Sequence, residues 1–180
     1  MTRWIAVAGG FGYAPLAPGT AGSAAAALGF LGAVALAGRE GIGRSSPIPA
    51  PLFVFLYLLV VLGLLAFGVW AAGHAEADFG RPDDGRIVID EVVGQLVTLG
   101  PLLLGLPTSD FFSMFLAVVT GFVLFRLFDV WKPGAVRWAE RRFEGGLGVM
   151  LDDVVAGLYA AVCLLALGGL LQGIFGGAPI

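Results

Sequence analysis

The sequence contains few of the side chains that soluble enzymes most often use for catalysis. Among its 180 residues there is one histidine, His74, and one cysteine, Cys163. A lone cysteine cannot form an internal disulfide or a multi-cysteine metal site, and its position within an apolar run favours a packing role. A single histidine excludes a mechanism in which one histidine attacks and a second donates a proton. Carboxylates and a hard metal ion remain as the candidate chemical groups.

Charged residues are also scarce. They make up 13% of the chain, against roughly 25% in soluble globular domains. The hydrophobic share is 58% and the mean hydropathy is +0.94, which argues against an ordinary soluble domain. The formal net charge of -3 provides no cationic field for a nucleic-acid partner. The composition indicates a membrane protein that does not bind nucleic acid.

Long uncharged runs separate the charged residues. A membrane-spanning helix needs about 20 apolar residues, each with a rise of about 1.5 Å. Five stretches approach or exceed this length, and they are residues 22–37, 51–73, 92–106, 111–128 and 154–176. The first is short and rich in alanine. The sequence therefore predicts a single all-α domain over residues 1–180, a multi-pass membrane helical bundle with about five membrane segments.

The basic residues are distributed unevenly between the loops that join these segments. If all five segments cross, eight basic residues lie on one side and only Arg39 and Arg44 lie on the other. The eight are Arg3, Arg81, Arg86, Arg126, Lys132, Arg137, Arg141 and Arg142. Because lysine and arginine are enriched in cytoplasmic loops, the pattern predicts that the first side faces the cytoplasm.

The longest polar loop, residues 129–153, connects the fourth and fifth segments. Within it, Val136 and Ala139 fall on one helical face. Trp131 and Trp138 suit a membrane–water interface, where tryptophan is enriched. We therefore expect a short interfacial helix in this loop.

Acidic residues gather at the ends of the apolar segments. Asp90 and Glu91 open the third segment, Asp129 closes the fourth, and Asp152 and Asp153 precede the fifth. The predicted topology puts all of them on one side. Carboxylates beside hydrocarbon are costly unless they are paired or bind a metal, although acids at a helix start can also simply balance the helix dipole. Oxygen ligands of this kind are typical of magnesium sites.

Glycine follows two of these acids at the same spacing. Gly94 lies four residues after Asp90, and Gly157 lies four residues after Asp153. Because glycine has no side chain, each position leaves room for a second helix or a lipid headgroup to approach. The sequence is compatible with either approach.

Two cations accompany the acids. Arg126 lies one helical turn before Asp129, and Lys132 follows shortly after. Arginine and lysine both bind phosphate oxygens, which makes these two residues candidate contacts for a phosphate group. Arg126 and Asp129 can equally form a structural ion pair.

The loop over residues 10–23 is rich in glycine and leads into the alanine-rich segment. Thr20 or Ser23 can cap the helix that follows, and a helix N-terminus with nearby hydroxyls binds phosphate. The loop lacks the lysine of a Walker sequence. Thr20 and Ser23 are therefore candidate substrate-binding residues.

Four stretches of the sequence resemble the phosphatidylglycerophosphatase A family. They are residues 10–23 (GFGYAPLAPGTAGS), 87–94 (IVIDEVVG), 125–133 (FRLFDVWKP) and 145–157 (GGLGVMLDDVVAG). They occur in the family's order along the chain. The resemblance implies a magnesium-dependent enzyme of the bacterial inner membrane, with its active site facing the cytoplasm. Its substrate would be the phospholipid phosphatidylglycerophosphate, and loss of the terminal phosphate would yield phosphatidylglycerol.

The resemblance also implies roles for individual residues. The metal-binding and catalytic acids would be Asp90, Glu91, Asp129, Asp152 and Asp153. Arg126 would join them as a catalytic residue, and Arg126 and Lys132 would lie beside the phosphate. One carboxylate would either orient water or attack phosphorus directly, and the sequence leaves both routes open.

Two other functions are compatible with the residues alone. A small ion or metal carrier would also place acids within a membrane bundle, and a non-catalytic subunit would use them for helix packing. A carrier would hold its acids near the middle of the bilayer, whereas these acids lie at segment ends beside cations suited to phosphate. The pattern therefore favours an enzyme.

Overall fold

The structure of the chain, a computed structural model, describes residues 2–37, 49–82, 84–104 and 110–175. Every regular element in these ranges is a helix, which confirms the all-α prediction. The α-helices are α1 (Thr2–Ala6), α2 (Pro18–Leu36), α3 (Ala50–Phe79), α4 (Ile89–Leu99), α5 (Phe111–Trp131), α6 (Ala135–Arg142) and α7 (Gly145–Phe175). Short 3-10 helices at Ala8–Tyr13 and Gly100–Leu104 follow α1 and α4.

Within the described ranges, four helices are long and apolar enough to cross a membrane. They are α2, α3, α5 and α7, and they correspond to the first, second, fourth and fifth predicted segments. Only 11% of the apolar stretch of α3 is buried within the protein, and only 28% of that of α7. Apolar faces of this size are rarely left in water, so their exposure fits contact with lipid.

The third predicted segment forms a short central helix. α4 has 11 residues, well below the roughly 20 that a span needs. Its α-helical course ends at Leu99, because Gly100 follows and Pro101 has no N–H to donate. Most of its residues are buried, and it packs against α2, α3, α5 and α7. The predicted count of five spans is therefore not confirmed, and this run is apolar because protein surrounds it.

α4 and α7 approach each other at two glycines. A Cβ at Gly94 would lie 2.7 Å from the backbone oxygen of Asp153, and a Cβ at Gly157 would lie 2.5 Å from the backbone oxygen of Gly94. The Thr98 hydroxyl donates to the Gly94 oxygen at 3.0 Å and lies 3.3 Å from the Gly157 oxygen. Of the two approaches that the sequence left open, the structure shows that of a second helix.

A buried carboxylate holds the loop before α4. Asp84 is fully buried, and it accepts hydrogen bonds from the side chains of Arg86 at 2.6 Å and Arg81 at 2.5 Å. The Arg86 bond, assisted by Arg81, holds the pKa of Asp84 well below its ordinary value in spite of the burial. The Val88 N–H donates to the Ala6 oxygen at 2.9 Å. The start of α4 is thereby joined to α1.

The loop between α5 and α7 contains the short helix that the sequence predicts. α6 buries Val136 and Ala139, whereas Trp138 is 58% exposed. The helix is therefore amphipathic, as its sequence pattern indicated. Its location at a membrane interface stays a prediction.

Candidate active site

Three carboxylates from two helices converge at one end of the bundle. Asp90 and Glu91 lie in the first turn of α4, and Asp153 lies in α7. One oxygen from each of the three lies within 4.8 Å of the others. The convergence follows from the contact between α4 and α7, because Asp90 and Asp153 each lie one turn before a glycine of that contact.

The charges of these three carboxylates are incompletely compensated. Asp90 is 8% exposed and Asp153 is 3% exposed. In the described part of the chain, Asp90 Oδ1, Glu91 Oε2 and Asp153 Oδ2 have no hydrogen-bond partner. Buried like charges at this separation repel one another and have lost their hydration. The donor set fits a divalent cation, and oxygen ligands alone suit a hard ion such as magnesium.

The end of α5 places an ion pair beside these carboxylates. Arg126 Nη1 lies 2.6 Å from Asp129 Oδ2, and the negative charge of Asp129 acts on Asp153. Although the Arg126 nitrogen is this close to an acceptor, it forms no hydrogen bond of good geometry with any described residue. The pair is therefore an electrostatic contact, and the guanidinium keeps a donor for a second anion.

The N-terminus of α2 borders the same carboxylates. A Cβ at Gly19 would overlap Glu91 Oε1 and would lie 3.3 Å from Arg126 Nη1. The first N–H groups of a helix lack partners within the helix, so they attract anions. Thr20 follows Gly19 and is half-buried. It is therefore the helical residue next to the glycine that contacts Glu91.

Neither Thr20 nor Ser23 caps α2, so this expectation was wrong. The helix begins at Pro18, and its N-cap residue, Ala17, provides no side-chain hydrogen bond. Proline is favoured at the first helical position because its fixed φ suits the helix and its missing N–H is not needed there. Both hydroxyls therefore lie inside the helix, and the buried Ser23 hydroxyl donates to the Gly19 oxygen at 2.8 Å.

The other aspartate of the α7 pair has a different partner. Lys132 Nζ lies 2.8 Å from Asp152 Oδ2 and 2.8 Å from Glu140 Oε1. Burial opposes the charge of Lys132, but its hydrogen bonds to Asp152 and Glu140 raise its pKa above the ordinary value. Asp152 and Asp153 are adjacent in a helix, so their side chains point about 100° apart around its axis. They consequently reach different partners.

Two residues of this region were not anticipated from the sequence. Glu140 on α6 shares Lys132 with Asp152. Gln95 on α4 is fully buried, and both polar atoms of its amide are without a hydrogen-bond partner among the described residues. Gln95 could have been identified from the sequence as a polar amide within the apolar run at residues 92–106. An acid inside a basic helix was the signal for Glu140.

The structure brings all the predicted site residues to one end of the bundle. Three carboxylates have oxygens within 4.8 Å of one another, Arg126 and Asp129 adjoin them, and the N-terminus of α2 lies against Glu91. Lys132 and its partner Asp152 complete the group. Their roles as ligands or catalysts stay predictions.

Comparison with known proteins gives a consistent assignment. The family model for phosphatidylglycerophosphatase A matches residues 4–168. The chain is 37% identical over 169 residues to phosphatidylglycerophosphatase A of Escherichia coli K12 (91% of this chain, 81% of the relative), and 31% identical over 163 residues to that of Haemophilus influenzae (91% and 86%). It is also 37% identical over 155 residues to a putative phosphatidylinositol-3-phosphatase of Bacteroides thetaiotaomicron (86% of each). No solved structure matches. The chain therefore belongs to the phosphatidylglycerophosphatase A family.

Proposed function

We propose that the protein is a membrane lipid phosphatase that hydrolyses the terminal phosphomonoester of phosphatidylglycerophosphate to phosphatidylglycerol and phosphate. Family membership and the activity named for two relatives support this function. The observation that carries it is the group of three carboxylates beside Arg126, two buried and one half-buried, at the end of an apolar bundle. When the phosphate of the lipid binds at this end of the bundle, its acyl chains can lie alongside the apolar helices.

In this proposal Asp90, Glu91 and Asp153 hold magnesium. Asp152 does not bind the ion directly, and its ion pair with Lys132 helps to fix the position of α7. When bound, the ion would supply positive charge to the phosphate oxygens, which is a main requirement of phosphoryl transfer. The chain's own residues orient the phosphate beside the carboxylates and exclude water from the buried side. Their incomplete hydrogen bonding supports this role.

Asp129 is the proposed residue that acts on the nucleophile. It pairs with Arg126, its charge acts on Asp153, and its side chain is 13% exposed. It would either accept a proton from the attacking water as a general base, or attack phosphorus and form an aspartyl-phosphate that water then hydrolyses. Both routes release inorganic phosphate and leave the lipid alcohol.

Arg126 and Thr20 are the proposed phosphate contacts. Arg126 keeps a donor that its ion pair does not use, and Thr20 lies at the N-terminus of α2, where anions bind favourably. Lys132 is held by two carboxylates, so we propose that it contributes positive potential rather than a direct bond. Ser23, whose hydroxyl donates within its own helix, would support α2.

We also propose that this end of the bundle faces the cytoplasm of a bacterial inner membrane. Arg81, Arg86 and Lys132 belong to segments that adjoin the carboxylates, and basic residues are enriched on the cytoplasmic side. The relatives with this family name are bacterial. The carrier alternative lacks support, because the carboxylates of α4 and α7 converge in one group at one end of the bundle.

Phosphate release by the purified full chain in detergent micelles tests the function. We expect dioleoyl-phosphatidylglycerophosphate to release phosphate with magnesium, to stop doing so with a chelator, and to resume when magnesium is added back. Asp129→Asn should lose turnover, whereas Glu144→Gln, an exposed acid near the start of α7, should retain it. Phosphatidylinositol 3-phosphate belongs in the assay because of the Bacteroides relative. No release from phosphatidylglycerophosphate would refute the proposal, whether or not phosphatidylinositol 3-phosphate is hydrolysed.

A further inference from the structure

An apolar groove runs along the outside of the bundle between α2 and α3. Buried side chains that include Phe30 and Leu96 form its floor, and the exposed positions Gly29 and Val60 lie on its two rims. Its volume is about 400 Å³. Since both α2 and α3 have the length and composition of membrane spans, the groove opens towards lipid chains.

The lining of the groove leaves nothing polar for an occupant to contact. Tyr57 contributes the one polar side-chain atom among the described lining residues. Its hydroxyl donates to the backbone oxygen of Leu96 at 2.5 Å, and its ring packs edge-on against Phe30 with the centroids 5.8 Å apart. A hydrocarbon chain is therefore the kind of ligand that fits.

The groove starts near the carboxylate site and runs away from it. Gly22 on α2 packs against Val88, two residues before Asp90. The position of Gly22 along the axis of α2 therefore corresponds to the level of the carboxylate site. Ala26, the first lining residue of α2, lies about 6 Å further along the helix, and Val34 lies about 18 Å further, at about 1.5 Å per residue. A molecule with its phosphate at the carboxylates would direct its hydrocarbon along this groove.

We propose that the groove, formed by residues 26–34 of α2 and residues 53–60 of α3, binds one acyl chain of the lipid substrate. The inference rests on the proposed function, which places the phosphate of that lipid at the carboxylates. The charged end and the hydrocarbon of a phospholipid are separated along one axis, as are the carboxylate site and the groove. A bound chain positions the phosphate and makes the enzyme selective for long-chain lipids.

Gly29→Leu fills the groove and tests the proposal. A Cβ at Gly29 meets no described atom within 4 Å, so the new side chain can enter the groove without displacing a helix. Gly32→Leu is the matched control. It is the same substitution on the same helix, it also meets no described atom within 4 Å, and Gly32 does not line the groove.

The first measurement compares kcat/KM for dioleoyl-phosphatidylglycerophosphate with that for its deacylated headgroup. We expect Gly29→Leu to lower the value for the lipid by about tenfold, mainly through KM, because exclusion of about two methylenes from the groove has an effect of that size. The deacylated compound should be hydrolysed as by wild type, and Gly32→Leu should leave both values unchanged. An equal loss on both compounds, or no loss on the lipid, would overturn the proposal.

A second measurement does not depend on turnover. Phosphatidylglycerophosphate with a diazirine in the middle of one acyl chain should label residues 26–34 or 53–60 in wild type, and should label them more weakly in Gly29→Leu. Labelling spread over the outer faces of α3 and α7 would overturn the proposal. A wild-type dimer that Gly29→Leu dissociates would also overturn it, because a second copy of the chain would then occupy the groove. If wild type releases no phosphate, the proposed function fails, and the labelling still decides whether the groove binds a chain.

Discussion

The backbone of Gly157 in α7 lies against the backbone of Gly94 in α4. A Cβ at Gly157 would stand 2.5 Å from the Gly94 oxygen, and a Cβ at Gly94 would stand 2.5 Å from the Phe125 ring. Small residues at such a contact let two helix backbones approach closely. Because Asp90 and Asp153 each lie one turn earlier, this contact determines the distance between the two carboxylates.

Gly157→Ala should therefore impair the site from a position that carries no functional group. The added methyl would push α7 away from α4, and we expect phosphate release to fall by roughly 10–100-fold, because a shift of about 1 Å in a catalytic group has effects of this order. Overpacking should also destabilise the protein by about 1–3 kcal/mol. Gly169→Ala, on the same helix and with no described atom within 4 Å of its Cβ, should change neither quantity. Wild-type activity in Gly157→Ala would contradict the geometry.

Magnesium should raise the Tm of wild type and should leave that of Asp153→Asn unchanged. A ligand that binds only the folded state stabilises it, and the variant lacks one of three converging carboxylates. Without metal the variant should be at least as stable as wild type, since one buried like charge has been removed. Thermal unfolding in detergent, followed by tryptophan fluorescence, measures both effects.

The control for this experiment is Glu144→Gln, which removes an exposed carboxylate outside the three. Its magnesium-dependent shift in Tm should equal that of wild type. A wild-type shift in Asp153→Asn would show that the ion binds elsewhere.

Lys132→Met should destabilise the protein because it leaves Asp152, which is 8% exposed, without its cation. We expect a loss of about 1–3 kcal/mol, less than the roughly 3–5 kcal/mol of a fully buried pair, because the Lys132 side chain is 24% exposed. Adding Asp152→Asn should restore part of the stability without restoring activity. Glu140→Gln should have a smaller effect, since the bond between Lys132 and Asp152 remains. An unchanged Tm in Lys132→Met would contradict this account.

Asp84→Asn should destabilise the protein in a pH-dependent manner. The pKa of Asp84 in the folded state lies below its ordinary value, so its contribution to stability is complete above the unfolded-state pKa of about 4 and disappears as the pH falls through the folded-state pKa. The difference in Tm between wild type and variant should be largest near neutral pH and should shrink in acid.

Thermal unfolding across this pH range measures the Asp84 effect. Asp78→Asn is the control, since the side chain of Asp78 is 47% exposed in its pair with Arg3, and its effect should be small at every pH. A difference for Asp84→Asn that grows towards acid pH would refute the assigned direction.

The apolar runs predicted the positions of α3 and α5 and the end of α7 well, because membrane-spanning helices are read directly from local hydropathy. The predicted start of α7 was nine residues too late, because residues 145–153 are helical although they precede the uncharged run. The run at residues 92–106 was harder to interpret. Hydrocarbon and a protein interior favour the same residues, so apolarity alone cannot distinguish a span from the buried helix α4. The start of α2 was misplaced for a different reason. Two hydroxyl-bearing residues offered plausible caps, but Pro18 begins the helix before both.

The sequence by itself determined the all-α character of the chain, the placement of Asp90, Glu91 and Asp129 at helix ends and the motifs of its family, because each of these is a local property of consecutive residues. The expectation that Asp152 and Asp153 precede the fifth segment was wrong, because α7 begins at Gly145 and both lie inside it. Only the tertiary structure decided which acids meet. The sequence does not distinguish Asp152 from the adjacent Asp153. In the structure Asp152 pairs with Lys132, whereas Asp153 lies beside Asp90 and Glu91. That choice depends on the rotation of α7 about its own axis, and the contact between Gly94 and Gly157 sets this rotation.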